Sequence, residues 1–225
     1  IANSIETEVF RPMSRSASRE ALGLPQDRKI IAYVPSYASE VKGYLEAVAA
    51  LKTLESIAPE LNPLILLLGT ETPATSAIHF EKHVLGYLYD NESLAQAYCS
   101  ADVVMVPSLE ETFSNTTAEA ISCGVPVVGF RTGAIPEMVT DGRTGYCLEP
   151  GDTDGFARGI AAVLTGGDLG ANCRAYAEEN LSFGIQARRY EELFLDLLIT
   201  PGPIVRPHPG YQPEAFRETT GTIID

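Results

Sequence analysis

Cations are scarce in this chain: 16 Lys and Arg stand against 30 Asp and Glu, a formal charge of −14 over 225 residues. That balance excludes a nucleic-acid binder, because neutralising phosphates takes clustered Lys and Arg. It also removes long-range attraction for an anionic substrate. A phosphate site must therefore be made locally, from a lysine and oriented backbone N–H groups. Long hydrophobic runs are missing as well. Residues 64–68 and 103–106 are strand-sized, far short of the ~20 apolar residues that span a membrane. The four cysteines, Cys99, Cys123, Cys147 and Cys173, form no Cys-x-x-Cys pair and have no histidine at metal spacing. They point to reduced, buried thiols in a cytosolic protein. His79, His83 and His208 share no useful spacing with a carboxylate or cysteine, so structural or solvated roles are expected. No Gly-x-Ser-x-Gly, Walker-type or metal-ligand pattern occurs, and no metal or cofactor is expected.

What is present is an alternation of short apolar runs and longer amphipathic segments. Residues 30–34, 64–68, 83–85, 103–106, 125–130 and 145–148 predict strands, dense in Val, Ile and Leu without polar alternation. Parallel strands buried on both faces read this way. Helices are predicted over 41–57, 93–100, 116–122, 153–164, 169–180 and 185–198, with Leu45, Val48, Ala49 and Leu51 sharing the apolar face of the first. Gly and Pro punctuate the joins. The pattern predicts a doubly wound α/β fold with a parallel sheet, whose ligands bind at the carboxyl ends of the strands. Residues 1–20 carry no periodic pattern. Residues 1–199 are expected to form one domain and 200–225, rich in Pro and Gly, an extended tail.

The segment from Pro107 to Val128 carries the clearest chemical signal. Glu111 and Glu119 flank Thr112-Phe113-Ser114-Asn115-Thr116. If Ser114 or Asn115 caps a helix, Glu119 lies in its first turn or just beyond, and Glu111 stays in the preceding loop. The free N–H groups at that helix start favour an anion, and the Glu119 carboxylate can accept from a vicinal diol such as a ribose. Both glutamates also suit a helix N-terminus on helix-dipole grounds alone. Lys42, in Ser39-Glu40-Val41-Lys42-Gly43, follows the first strand and can reach the same anion as a point charge. In Gly86-Tyr87-Leu88-Tyr89-Asp90, a nucleobase could pair with the Leu88 backbone while Asp90 accepts from a ring N–H. Alternatively, Asn91 or Asp90 simply caps the strand end and starts the next helix.

Taken together, these segments resemble the nucleotide-sugar-binding half of a two-lobed GT-B glycosyltransferase of the GT4 family. The waypoints run from Asn3-Ser4-Ile5-Glu6-Thr7 through Lys42-Gly43, Leu85-Gly86-Tyr87-Leu88, Ala101-Asp102-Val103 and Pro107-Ser108 to Gly133-Ala134-Ile135-Pro136-Glu137 and Pro150-Gly151-Asp152. The resemblance implies a Rossmann-like fold and transfer with retention of configuration, without a metal. It gives Glu111 the donor sugar's hydroxyls, the Phe113–Ser114–Asn115–Thr116 backbone the sugar and phosphates, Glu119 the ribose, and Lys42 the diphosphate. Two positions depart from the family: Ser36 stands where many members carry a diphosphate-binding Arg, and Gly133-Ala134 replaces a Gly-Gly pair.

The chain starts at the segment that follows the acceptor lobe in that family. The expectation is therefore the donor half of a longer enzyme, inactive alone, that takes a nucleoside-diphosphate sugar and serves polysaccharide or glycoconjugate synthesis. The sugar or lipid-linked acceptor would bind the lobe absent from this chain. A cytoplasmic location follows from the thiols, with peripheral attachment to the inner face of a membrane left open for the full-length enzyme. The alternative is a degenerate, non-catalytic nucleotide-binding module, supported by Ser36. An isomerase or phosphorylase on the same fold fits the two-glutamate spacing less well.

Overall fold

A computed structural model describes residues 1–35, 40–71 and 75–199. Six parallel strands form one sheet in the order β3-β2-β1-β4-β5-β6. They are β1 (Ile30–Tyr33), β2 (Leu64–Leu68), β3 (Lys82–Gly86), β4 (Val103–Val106), β5 (Val127–Phe130) and β6 (Gly145–Leu148). The helices are α1 (Arg15–Ala21), α2 (Tyr44–Ile57), α3 (Asn91–Ser100), α4 (Asn115–Ser122), α5 (Ile135–Met138), α6 (Thr153–Thr165), α7 (Gly170–Asn180) and α8 (Phe183–Ile199). The chain divides into two units, Ile1–Ala187 and one that begins at Arg188, and the tail expected over 200–225 lies outside the described residues. The sheet and helices α1 to α7 belong to the first. None of the described helices is long and apolar enough to cross a membrane.

The strands alternate between two cores. Ile30 and Ala32 of β1, with Leu64, Leu66 and Leu68 of β2, face one side with Tyr98 and Ile121. Ile31, Tyr33, Ile65 and Leu67 face the other, with Leu51, Leu54 and Phe156. Every residue of β1, β2, β4 and β5 is buried. Two-sided burial is why the runs read as unbroken apolar sequence, each large side chain contributing about 1.5–3 kcal/mol. All four cysteines are buried and free.

Two expectations need correction. The segment 41–57 is not one helix: Glu40–Lys42 forms a single 3-10 turn, and left-handed Gly43 starts α2 at Tyr44. Its inward face is Ala47, Ala50, Leu51 and Leu54, whereas Leu45 is 62% exposed and Ala49 is also on the outside. Its packed neighbour is α6, where two alanines allow a close approach, and the stripe keeps Leu51 and Leu54 while Leu45 and Ala49 fall on the opposite side. In addition, α1 begins within the aperiodic first twenty residues. Polar bonds hold it. Arg19, 4% exposed, donates to Ser100 O at 2.9 Å, to Gln26 O and Arg28 O, and to Asp102 Oδ2 at 2.7 Å. Asp102 Oδ2 also accepts from Ile30 N at 2.7 Å, tying α1 to the start of the sheet.

Candidate functional site

The crossovers of a doubly wound sheet leave a crevice where adjacent strands feed helices on opposite faces. Here β1 and β4 are those neighbours. Beyond their carboxyl ends lies a cleft of two compartments. The smaller, about 210 Å³, is lined by Lys42, Pro107, Ser108, Glu111 and Thr116 among others. The larger, about 500 Å³, is lined by Leu68, Tyr87, Leu88, Tyr98, Asn115, Glu119 and neighbours. Val34 and Thr116 line both.

Lys42 reaches this cleft because two loops dock on each other. Val41 O accepts from Leu109 N at 2.7 Å and from Glu110 N at 3.3 Å. Gly43 has φ +65°, and a methyl there would fall 1.7 Å from Pro107 O. Only glycine allows this approach. The Lys42 ammonium then donates to Glu111 Oε1 at 2.7 Å, with the two side chains 33% and 12% exposed. On its other side the Glu111 loop rests on the β5–α5 turn. Ala134 N donates to Thr112 O at 3.0 Å, Thr132 Oγ1 to Ser108 O at 3.2 Å, and Gly133 lies so close that a methyl would be 2.4 Å from Glu111 O. Ala134 itself has φ −87°, an ordinary value for alanine, so the second glycine of the family pattern is not required here.

Ser114 turns the chain into α4 at φ 69°, an uncommon conformation for a residue with a side chain. Its hydroxyl makes no capping bond to the backbone; it meets Thr117 Oγ1 at 2.9 Å instead. The helix start therefore has no side-chain cap from Ser114, and the N–H groups of Asn115, Thr116 and Thr117 have no intrahelical partner. They carry the positive end of the helix dipole. Phe113 is buried in the core and anchors the loop, without lining either compartment.

Glu119 is the fifth residue of α4, just beyond its first turn, and lines the larger compartment. Tyr98 donates to its Oε2 at 2.9 Å. Burial pushes the Glu119 carboxyl above the usual carboxylate range, against the pull of that hydrogen bond. Burial, and then the Glu119 charge, push the Tyr98 hydroxyl well above its own range.

The structure brings Lys42, Glu111, Asn115, Thr116, Glu119 and Leu88 to one cleft. It does not bring Asp90 among the lining residues: Asp90 Oδ1 caps α3 by accepting from Ser93 N at 2.7 Å, which lowers its pKa. Ser36 lies outside the described residues. Tyr98 is a cleft residue that sequence reasoning missed. Its sequence surroundings, Ala95-Gln96-Ala97-Tyr98-Cys99-Ser100, carry no signal of the contact with Glu119. Among the described residues, no group of three or more His, Cys, Asp or Glu side chains is placed to hold a metal ion.

A family model described as glycosyl transferases group 1 matches residues 28–166. An N-acetyl-alpha-D-glucosaminyl L-malate synthase of Bacillus anthracis is 27% identical over 208 residues, covering 88% of this chain and 53% of its own. A D-inositol 3-phosphate glycosyltransferase of Mycolicibacterium smegmatis is 32% identical over 194 residues, covering 80% and 42%. Among solved structures, a sucrose-phosphate synthase from Thermosynechococcus elongatus superposes with a TM-score of 0.72 at 26% identity, over 87% of this chain and 51% of that one. An Anabaena protein crystallised in complex with UDP and glucose superposes with a TM-score of 0.69 at 21% identity, over 85% and 55%. The chain spans about half the length of these relatives.

Proposed function

The chain belongs to the glycosyl transferases group 1 family, and from that premise we propose that it is the donor-binding lobe of a retaining glycosyltransferase. Its ligand is a nucleoside-diphosphate sugar. A sugar or lipid-linked acceptor binds a separate lobe, so transfer requires the longer enzyme.

The observation that carries the proposal is one cleft holding a lysine, an open helix start and two glutamates, at the switch point of the sheet. Each feature suits one part of the ligand. Lys42 and the N–H groups at the start of α4 face the diphosphate and stabilise the charge that develops as it leaves. Glu111, held beside Lys42, orients the sugar hydroxyls in the smaller compartment. Glu119 accepts from the ribose in the larger compartment, whose Leu68, Leu88 and Leu94 side chains offer an apolar slot for the base. The Anabaena neighbour crystallised with UDP and glucose supports a ligand of this class.

Calorimetric titration of this chain with UDP-, GDP- and ADP-sugars tests the reading. Micromolar to millimolar binding of one of them is expected, and no heat from any, with the fold intact by circular dichroism, overturns it. In the longer enzyme Glu119→Ala should weaken donor binding, and a turnover assay separates transfer from nucleotide binding alone.

A further inference from the structure

Tyr98 is 1% exposed, on α3, with the Phe10 ring 6.5 Å away by centroid. Phenylalanine would fill that volume equally well. The hydroxyl must therefore find a polar partner or carry a desolvation cost. It donates to Glu119 Oε2 at 2.9 Å. Both residues line the larger compartment. So the tyrosine hydroxyl joins α3 to a cleft carboxylate on α4.

A carboxylate has about four lone-pair sites on two oxygens. The bond from Tyr98 occupies one of them on Oε2 and fixes the glutamate's rotamer, leaving Oε1 and the remaining site for a ligand. A glutamate without that bond would sample several rotamers and lose entropy on binding a diol. We infer that Tyr98 is a positioning residue for ribose recognition: it holds Glu119 so that its free lone pairs meet the 2′- and 3′-hydroxyls of a nucleoside diphosphate. The inference rests on the donor-site reading above and adds a residue to it.

The test titrates this chain, wild type and Tyr98→Phe, with UDP, GDP and ADP and with the 2′,3′-dideoxy form of each. For whichever base binds, Tyr98→Phe should weaken the ribonucleotide by up to about tenfold, the cost of immobilising one rotamer-rich side chain on binding. The dideoxy form should bind both proteins alike. Equal loss for both forms, or no loss at all, overturns the inference while the donor-site reading stands. If wild type binds none of the nucleotides, the donor-site reading fails at a step that does not involve Tyr98, and this inference falls with it. A crystal of the wild-type chain soaked with the bound nucleotide serves if the variant does not fold. Glu119 keeping Tyr98 while meeting O2′ and O3′ supports the role, and Glu119 turned away from Tyr98 overturns it.

Discussion

Lys42 Nζ and Glu111 Oε1 are 2.7 Å apart although 69 positions separate them in the chain. Neither belongs to a strand or an α-helix. The first ends a 3-10 turn and the second lies in the loop after β4. Under the proposed function they serve adjoining parts of one ligand, the diphosphate and the sugar. A diphosphate arriving at Lys42 must therefore share the ammonium with a carboxylate already bonded to it.

This sharing gives a signed prediction. Glu111→Gln keeps shape and hydrogen-bonding capacity but removes the competing charge. Binding of UDP, which has no sugar, should tighten by about threefold to tenfold, as expected for a partly exposed ion pair. Transfer by the longer enzyme should fall, because the sugar loses its orienting carboxylate. Titration at low and high salt checks the electrostatic origin, since screening should shrink the gain. Weaker UDP binding by the variant would show that Glu111 does not compete for Lys42.

Much of this cleft is visible in the sequence, and the reasons are physical. The strand Leu64–Leu68 is legible because all five residues are buried on a two-sided sheet. Glu111 and Glu119 are legible because a polar segment between a Val-rich strand and a helix is where such sheets bind ligands. Pairings made by tertiary contact are not legible. Nothing near Tyr98 announces that its hydroxyl meets Glu119, and nothing near Gly43 announces Pro107 O. Helix α1 escapes periodicity analysis because a buried arginine, Arg19, holds it in place of an apolar stripe. Asp90 fits a base contact or a cap equally well by sequence, and its bond to Ser93 N shows the cap.

Gly43→Ala should uncouple Lys42 from the cleft. The left-handed backbone alone costs alanine about 1–2 kcal/mol. Its methyl would also fall 1.7 Å from Pro107 O, so the two loops must separate. Urea denaturation should show a loss of at least about 2 kcal/mol. Nucleotide affinity should fall with it, since Lys42 rides on the same turn. Loss of stability with unchanged affinity would mean that Lys42 does not depend on this docking.

Asp102→Ala should damage stability and spare binding. Its carboxylate accepts from buried Arg19 and from Ile30 N at the amino end of the sheet, opposite the cleft. Removing it leaves the arginine's charge buried without its partner, which costs about 3–5 kcal/mol. The urea midpoint should drop by that equivalent, while the folded protein binds nucleotide as wild type does. A drop in affinity at temperatures where the variant is folded would contradict the separation of the two ends.

Glu119 sets stability against function, and pH should reveal the conflict. Burial raises its carboxyl above the ordinary range, with the Tyr98 hydrogen bond opposing. In the unfolded chain it titrates near ~4.3. Between that value and the higher native one, the folded protein keeps a proton that the unfolded chain has lost, so stability falls as pH rises through the window. Above the native value the carboxylate carries its full desolvation cost; below about pH 4 it carries none. Glu119→Gln removes the ionisation and keeps an oxygen to accept from Tyr98. Its melting temperature should exceed that of wild type near pH ~7, and the difference should close as pH is lowered towards ~4. A difference that persists unchanged at acid pH would assign the effect to packing. The same substitution should weaken nucleotide binding at neutral pH, because an amide cannot accept at every site that the carboxylate offers to a diol. A residue that destabilises the fold at neutral pH and strengthens ligand binding there is what a binding carboxylate sunk beside a core tyrosine should be.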